Sequence, residues 1–457
     1  MSKNKVVIYL FFLLLFNSVY SVNYDQELAN LLAAKKWFDV EKYYQAHRDS
    51  IHNDFVLLWY KAETGRVFNK PQQAIEAYEK IIDINPKSSF NSANLISFFG
   101  QPLLNLYWDK MDFHKGIETG NKLIEITKKD TTIDDNYRQT MITSLENNVI
   151  KSFGQEKEKN RQKNYLKEIE NTNNKEIELI RGEDNNGLFV TSLWNNKPLK
   201  SLFDTGFGGC FIYSKDIAHK IGVKFNNKDT IYVNNKTKAI FGIVDSIEIG
   251  IYKFRNIPVF VNIEEIDRND SAQVRCDSLL SKEFDVIIGL PLMKELGQMM
   301  FDFSKKTMTF FPDSTNDKVT NKNIYIENNV LFLDMKVLNK PFIAFFDTGD
   351  FRGLEIYSTF YEKNKDYFPV LEKNKSYLTF MGGCSKESKI VKNNIGNFDQ
   401  LKIKIDNKEI TIEKDCSVIK HTQDEKITDG ILGNNIFKYV KSASLDFKNM
   451  SFEIRYY

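Results

Sequence analysis

The sequence predicts a multidomain protein in which an N-terminal all-α helical-repeat domain precedes an all-β region of two similar lobes. Up to about residue 155, apolar residues recur at three- and four-residue spacing, which is the period of an amphipathic helix. From Ile177 onward, apolar residues instead alternate with polar ones in short runs rich in Val, Ile, Phe and Tyr, as in half-buried strands. The β region also repeats its own motifs at a nearly constant offset, which indicates an internal duplication.

Length and composition favour a globular protein with several hydrophobic cores. The chain has 457 residues, of which 42% are hydrophobic and 27% charged, so it does not belong to the disordered or low-complexity classes. Its 63 Lys and Arg residues nearly balance its 61 Asp and Glu residues, for a formal charge of +2. Because nucleic-acid-binding proteins usually carry a clear basic excess, we expect no nucleic-acid partner.

Residues 1–21 have the pattern of a secretory signal peptide. Two lysines precede an uncharged apolar run at 6–16, and Val19 and Ser21 stand at the −3 and −1 positions that a signal peptidase requires. The run is well short of the ~20 residues that span a bilayer, although an uncleaved anchor is the alternative. We therefore expect cleavage after Ser21 and an exported protein, periplasmic or secreted, with no membrane span in the mature chain.

Residues 22–155 are predicted to form the helical domain. The segment 71–86 begins and ends with proline and resembles the second helix of a tetratricopeptide repeat, and the segment 113–125 resembles a degenerate copy. Their offset of about 42 residues exceeds the 34-residue repeat, so a generic helical bundle is the alternative. Either arrangement would bind a protein partner or act as a scaffold rather than catalyse a reaction. Residues 156–181, which are mostly charged or amide residues, are predicted to form a linker.

Five motifs of the β region recur in the same order, and their offset changes only from 143 to 144 residues. A single triplet occurs often by chance, but five ordered matches indicate two homologous lobes, which we place at 182–313 and 324–457. Homologous lobes tend to pack about a pseudo-twofold axis, where residues meet their own counterparts. The matched motifs are 188–190 with 331–333, 196–198 with 339–341, 203–206 with 346–349, 287–290 with 431–434, and 301–303 with 445–447.

One matched motif places an Asp-Thr-Gly triplet in each lobe, so Asp204 and Asp347 would face each other across the axis. Two carboxylates held about 3 Å apart cannot both ionise freely, and they share one proton. The ionised carboxylate could then take a proton from a water molecule while the carboxylic acid donates one to a substrate carbonyl oxygen. This is general acid–base hydrolysis of an amide without a covalent intermediate.

The other residues of the two triplets suit a close interface between the lobes. Thr205 and Thr348 are able to hydrogen-bond across it and so lock the two loops together. Gly206 and Gly349 are expected to let the backbone turn and to bring N–H groups close to the carboxylates. We therefore predict that these four residues support the two catalytic loops.

These repeated motifs resemble those of aspartic peptidases of the retropepsin and pepsin type, and the segment 203–223 is particularly similar to bacterial retropepsin-like domains. In that family each lobe carries the triplet, a flap hairpin and a hydrophobic-hydrophobic-Gly segment, which here would be 287–289 and 431–433. The resemblance implies a bilobal aspartic-protease fold, an endopeptidase that uses Asp204 and Asp347, a polypeptide substrate, and neither metal nor cofactor. Because the two lobes are fused in one chain, we expect a monomer.

The sequence departs from the family pattern directly after each triplet. The family usually has Ser, Thr or Ala there, whereas this chain has Phe207 and Asp350, and neither offers a hydroxyl group to the catalytic carboxylates. Asp350 would raise the pKa values of the pair if it pointed at them, but we expect it to point into solvent. By position, the flap hairpins would lie at 232–241 and 379–388.

Because of these departures, the rival hypothesis is a catalytically weak or inactive binding or assembly protein that keeps the bilobal fold. A third hypothesis is self-maturation by cleavage within 155–174. Other hydrolase chemistries have less support, since the chain has no H-E-x-x-H zinc motif and no G-x-S-x-G nucleophile motif. Of the four cysteines, Cys384 and Cys416 could pair within one lobe, and buried free thiols are the alternative.

Overall fold

A computed structural model of the chain shows two compact units, one helical and one mainly of strands, which divide between residues 163 and 164. A helical region thus precedes a β-rich region, as the sequence predicted. The predicted signal peptide at 1–21 lies outside the described residues, and no helix within them is both long and apolar enough to cross a membrane. The described residues are 23–84, 90–158, 168–169, 175–180, 187–233, 237–312, 322–372, 377–380, 384, 389–392, 394–420 and 428–456.

The first unit is built from helices joined by short turns. Polar side chains cap several helix starts; for example, Asn53 accepts a hydrogen bond from the backbone N–H of Val56. π-helical turns at Ile96–Gly100 and Glu146–Ile150 each connect two neighbouring helices. The helices are α1 (Tyr24–Ala33), α2 (Trp37–His47), α3 (Asp54–Val67), α4 (Pro71–Ile84), α5 (Ser92–Leu95), α6 (Gln101–Asp109), α7 (Phe113–Lys129), α8 (Asp135–Leu145) and α9 (Lys151–Glu158).

Helix α4 packs closely against α3 and buries the apolar side chains of its sequence pattern. Gly65 of α3 lies so near α4 that a Cβ atom there would come within 2.7 Å of the backbone nitrogen of Ala74. Tyr78 donates a hydrogen bond to Glu63 Oε1 (2.8 Å), and Arg66 forms an ion pair with the same carboxylate (2.7 Å). Close backbone packing and this buried polar group together hold the two helices. Membership of a tetratricopeptide array stays a prediction.

The second unit contains two large β-sheets and a separate hairpin. It also contains helices that the all-β prediction missed, namely α10 (Lys215–Ile221), α11 (Ser271–Glu283), α12 (Leu290–Met293) and α13 (Ser358–Asn364). Helix α11 fully buries only Gln273, so it has no apolar stripe that a helical pattern would reveal. The strands are β1 (Glu168–Ile169), β2 (Glu176–Ile180), β3 (Phe189–Trp194), β4 (Lys197–Asp204), β5 (Cys210–Ile212), β6 (Lys224–Val233), β7 (Thr237–Ile249), β8 (Tyr252–Asn262), β9 (Val286–Gly289), β10 (Gln298–Asp302), β11 (Thr307–Phe311), β12 (Ile324–Glu327), β13 (Val330–Val337), β14 (Lys340–Asp347), β15 (Leu354–Tyr357), β16 (Tyr377–Phe380), β17 (Lys389–Lys392), β18 (Asn394–Ile405), β19 (Lys408–Ile419), β20 (Gly430–Gly433), β21 (Ser442–Asp446) and β22 (Ser451–Arg455).

The first sheet has the strand order β22-β21-β10-β11-β2-β3-β4-β9-β5-β8-β7-β6, with β1 beside β8, and the second has the order β12-β13-β14-β20-β15-β19-β18. Strand β2 lies inside the predicted linker, yet it pairs with β3 and β11 because Ile177 and Leu179 alternate with polar residues. Strands β10 and β21 pair in antiparallel fashion, with Gln298 opposite Asp446. The last two strands of the chain therefore complete the sheet that the earlier strands begin.

Both sheets have the same local arrangement around one central strand. Strand β4 runs parallel to β9, with Asp204 opposite Gly289, and β14 runs parallel to β20, with Asp347 opposite Gly433. Each central strand also pairs in antiparallel fashion with the strand before it in the chain, β3 or β13. Each aspartate therefore lies at the end of a strand that is hydrogen-bonded on both sides.

A disulfide joins Cys276 of α11 to Cys384, which lies between β16 and β17, with the two Cα atoms 5.6 Å apart. Of the two alternatives that the sequence left open, the pairing of Cys384 with Cys416 does not occur, and Cys416 is a buried free thiol. Strand β19 carries Cys416 into the second sheet opposite Leu354, where it is a buried free thiol, and Cys210 is another. The two cysteines are 108 residues apart in the sequence. Cys276 belongs to the first predicted lobe and Cys384 to the second, so the bond connects the two predicted lobes.

We expect the double variant Cys276→Ser/Cys384→Ser to be less stable than the wild type by about 2–4 kcal/mol, because the bond closes a long loop in the unfolded chain. Thermal unfolding with and without a reductant measures this. The reductant should lower the melting temperature of the wild type and leave that of the double variant unchanged. A double variant that still responds to the reductant would contradict the assigned pairing.

Candidate active site

Two loops with the same sequence motif meet in the second unit. The first aspartate loop (204–207) follows β4, and the second aspartate loop (347–350) follows β14. In the first loop Asp204 Oδ1 accepts a hydrogen bond from Gly206 N (2.8 Å), and the second loop repeats this bond between its own aspartate and glycine (2.9 Å). Backbone N–H groups therefore orient both carboxyl groups, and each aspartate residue is partly exposed.

The two buried threonines of these loops bind each other's strands. Thr205 N donates a hydrogen bond to Thr348 Oγ1, and Thr348 N donates one to Thr205 Oγ1, both at 3.0 Å. Each hydroxyl group in turn donates to a carbonyl oxygen of the opposite strand, Thr205 to Phe346 (2.6 Å) and Thr348 to Phe203 (2.8 Å). These four reciprocal bonds fix the distance between the two loops, and neither threonine has exposed surface (0%).

The glycine of each loop faces the aspartate of the other loop. A Cβ atom at Gly206 would lie 2.5 Å from Cγ of Asp347, and a Cβ atom at Gly349 would overlap the carboxyl group of Asp204. Neither glycine has a positive φ angle, so the expected backbone freedom is not what the fold requires here. Glycine is needed because any side chain would displace the opposite carboxyl group.

The environment of the two aspartates favours a shared proton. Burial raises the pKa of Asp204 to about 6. Burial, together with the negative charges of Asp204 and Asp350, raises the pKa of Asp347 well above its usual range. The side chains of the two aspartates also interact directly, which lowers the pKa of Asp204 and raises that of Asp347. The pair therefore retains a proton at pH values where an exposed aspartate, with a pKa of about 3.9, has lost it, and this proton belongs to the pair rather than to one residue.

Phe207, the residue after the first triplet, points away from the carboxyl groups and into a hydrophobic cluster. Its ring packs edge-on against Phe211 and Phe260, with centroid distances of 5.6 and 6.4 Å. Phe351, directly after the second aspartate loop, packs against the same cluster and stacks on Phe189 at 6.2 Å. The first departure from the family pattern therefore packs its own loop into an apolar cluster, and Phe351 joins the second loop to the same cluster.

Asp350, the residue after the second triplet, does not point into solvent, so that expectation is wrong. Its side chain is only 9% exposed and forms an ion pair with Arg352. Arg352 Nε donates to Asp350 Oδ1 at 2.7 Å, and the backbone N–H of Asp350 donates to Asp347 Oδ1 at 3.2 Å. The guanidinium group two residues along the chain holds the carboxylate inside the protein, which the sequence alone did not indicate.

Two further aspartates brace the strands behind the loops, and sequence reasoning missed both. Asp285 Oδ2 accepts a hydrogen bond from the backbone of Lys200 (2.8 Å), and Asp429 Oδ2 accepts one from the backbone of Ile343 (2.9 Å). Each aspartate thereby links the segment before β9 or β20 to the central strand beside it. The 144-residue spacing that relates the strands β9 and β20 also relates these two aspartates, and this was the signal that could have found them.

The predicted flap positions fall on two hairpins. Strands β6 and β7 pair with Tyr232 opposite Lys238, and the side chain of Tyr232 is exposed; residues 234–236 lie outside the described residues. Strands β16 and β17 pair with Phe380 opposite Lys389, and their connection is outside the described residues except for Cys384. Both predicted positions therefore coincide with antiparallel hairpins, while their role stays a prediction.

Among the residues that the structure describes, no group of three or more His, Cys, Asp or Glu side chains is arranged to bind a metal ion. A solved structure that is similar to part of the chain is that of a retropepsin-like aspartic protease from Rickettsia conorii, at 21% sequence identity and a TM-score of 0.21. The similarity covers 30% of this chain and 87% of that one. No model of a known protein family and no curated protein matches the sequence.

Thr205→Val should destabilise the fold by about 1–3 kcal/mol, because it leaves the backbone N–H of Thr348 and the carbonyl of Phe346 buried without this partner. Chemical denaturation measures the loss. Thr191→Val, on the exposed face of β3, is the matched control and should change stability by less than about 0.5 kcal/mol. Equal effects of the two substitutions would refute the importance of the reciprocal bonds.

The raised pKa values predict a specific pH dependence of stability. Between about pH 4 and pH 6 the folded pair holds a proton that the unfolded chain has released, so wild-type stability should fall as the pH rises through this window. Asp347→Asn removes one ionisable carboxyl group and should be more stable than the wild type at pH 7, with the difference shrinking toward pH 4. Denaturant unfolding at several pH values tests this, with Asp399→Asn, an exposed residue of β18, as the control. A difference that does not vary with pH would be inconsistent with a proton-sharing pair.

Proposed function

We propose that this chain is an exported aspartic endopeptidase, which hydrolyses peptide bonds with a water molecule activated by the Asp204/Asp347 pair. The observation that carries the proposal is the reciprocal fit of the two aspartate loops. The glycine of each loop leaves room only for the aspartate of the other, so the two carboxyl groups are forced together. A carboxylate and a carboxylic acid held side by side are the two groups that this reaction needs.

In the proposed reaction, the ionised member of the pair takes a proton from the attacking water while the protonated member donates one to the substrate carbonyl oxygen. The tetrahedral intermediate carries two hydroxyl groups. It breaks down when the pair takes a proton back from one hydroxyl group and donates a proton to the leaving nitrogen. The pair then holds one proton again, so it is ready for the next cycle.

The proposal includes two lobes related by a pseudo-twofold axis that passes between the aspartate loops. The bonds between Thr205 and Thr348 join residues 143 positions apart, which is the offset of the sequence repeat. The parallel pairs β4–β9 and β14–β20 support the same relation, because each places a glycine opposite the aspartate. Both aspartates come from one chain, so the proposed enzyme acts as a monomer.

Export and the role of the helical unit belong to the same proposal. The disulfide between Cys276 and Cys384 supports export, since disulfides persist mainly in oxidising compartments. The predicted signal peptide agrees with this. The helical unit would bind the polypeptide substrate or a protein partner. It contributes neither of the two paired aspartates.

A binding or assembly protein with weak or no catalysis is the second candidate. The observation that favours it is the absence of a hydroxyl group at the position after each Asp-Thr-Gly triplet, since Phe207 is packed into the apolar cluster and Asp350 is bound to Arg352. In this case the paired loops would serve only to hold the sheets together.

The test is cleavage of a mixed peptide library by the mature chain between pH 4 and pH 7, followed by mass spectrometry. We expect Asp204→Asn and Asp347→Asn each to lower cleavage by at least about 100-fold, because each removes one of the two proton-transfer groups. A statine-type inhibitor should block the wild type. Asp399→Asn should retain full activity. Unchanged cleavage in either dyad variant would overturn the mechanism, and a folded wild type that cleaves nothing would favour the binding protein.

A further inference from the structure

The second aspartate loop leads into a cluster of charged residues that has no counterpart after the first loop. Arg352 binds Asp350 through Nε and Nη2, and its Nη1 donates to Glu355 Oε1 at 2.6 Å. At the matching positions the chain has Phe207, 143 residues earlier, and then Gly208 and Phe211, 144 residues earlier, because β5 and β15 pair with β9 and β20 at that offset. The duplication therefore conserves the aspartates and their threonines, whereas the neighbouring side chains are apolar in one loop and ionic in the other.

The two acidic side chains of the cluster are buried. Two carboxylates share a single guanidinium group, and the side chains of Asp350 and Glu355 are only 9% and 2% exposed. Water therefore screens these charges poorly, and they act on their neighbours through a medium of low dielectric constant. Asp350 lies beside the pair, since its backbone N–H donates a hydrogen bond to Asp347 Oδ1.

The charged groups that interact with Asp350 from neighbouring elements are also mainly acidic. The carboxyl groups of Asp204 and Asp347 lie in the two aspartate loops, and Asp415 lies on β19. Lys438, in the short helix Asn434–Tyr439, is a cation that acts on Asp415. Arg352 is a cation in direct contact with Asp350. Asp350 therefore lies among three other carboxyl groups and is bound by one guanidinium group.

We propose that Asp350 is a positioning residue whose buried negative charge holds the shared proton on the Asp204/Asp347 pair, and that Arg352 limits this effect. The negative charge of Asp350 raises the pKa of both Asp204 and Asp347. This agrees with the position of Asp350, whose backbone N–H donates to Asp347 Oδ1. The pair thereby keeps its working protonation state to a higher pH than its burial alone would allow. The inference rests on the proposed function for its kinetic readout only.

The test compares variants that change the charge of the cluster in opposite directions. Asp350→Asn removes one negative charge and should move the basic limb of the pH profile of kcat/KM down by about 0.5–1 pH unit. Glu355→Gln should move the limb in the same direction by less, because it frees Arg352 to neutralise Asp350. Arg352→Gln should move it upward. Asp399→Asn should leave the limb in place. A purely structural role would lower activity without shifting the limb in two directions.

Carbon-13 NMR of selectively labelled aspartate in the same variants gives a second readout that does not need activity. The titration of the pair should shift in the same directions as the kinetic limb. If the wild type cleaves no peptide but the titration shifts, the proposed function fails and the coupling stands. If the wild type is active and neither the limb nor the titration moves in Asp350→Asn and Glu355→Gln, the inference is overturned.

Discussion

The reciprocal hydrogen bonds between Thr205 and Thr348 determine how close the two aspartate loops lie. Two carboxyl groups repel each other when ionised, and loops on separate sheets would move apart unless the backbone opposed it. Separation would leave two buried hydroxyl groups and two buried N–H groups without partners, at a cost of about 1–3 kcal/mol each. Because these bonds oppose separation, the two carboxyl groups stay close together, and the raised pKa values show that the pair retains a proton. The protonation of the site thus follows from buried bonds that do not involve the carboxyl groups.

Duplication provides two equivalent loops, and the residues after them remove the equivalence. Phe207 connects its loop to an apolar cluster, whereas Asp350 connects its loop to Arg352 and Glu355. The two aspartates therefore share a backbone geometry but have different electrostatic surroundings. A pair that must divide one proton between an acid role and a base role is sensitive to such a difference, because even a modest local charge changes the proton affinity of both members.

The order of a helical region before a β-rich one, and the meeting of Asp204 and Asp347, could be predicted because both are recorded in local sequence patterns: the apolar period and a motif repeated at a fixed offset. Features that depend on where separate segments of the chain meet could not be predicted from the sequence. The partner of Cys384 depends on the position of α11, and the orientation of Asp350 depends on a guanidinium group that no motif marks. Helix α11 lacks the apolar stripe that a helical pattern would reveal, and the two bracing aspartates lie outside the five matched motifs.

The disulfide between Cys276 and Cys384 encloses the whole connection from β11 to β12. A single peptide-bond cut anywhere in that connection would separate the chain into two fragments only after reduction. Strand β21 would still pair with β10, so the nicked protein would keep both its covalent link and its shared sheet. A cut in the connection between β11 and β12 would consequently leave a two-chain molecule in which each chain carries one of the aspartate loops.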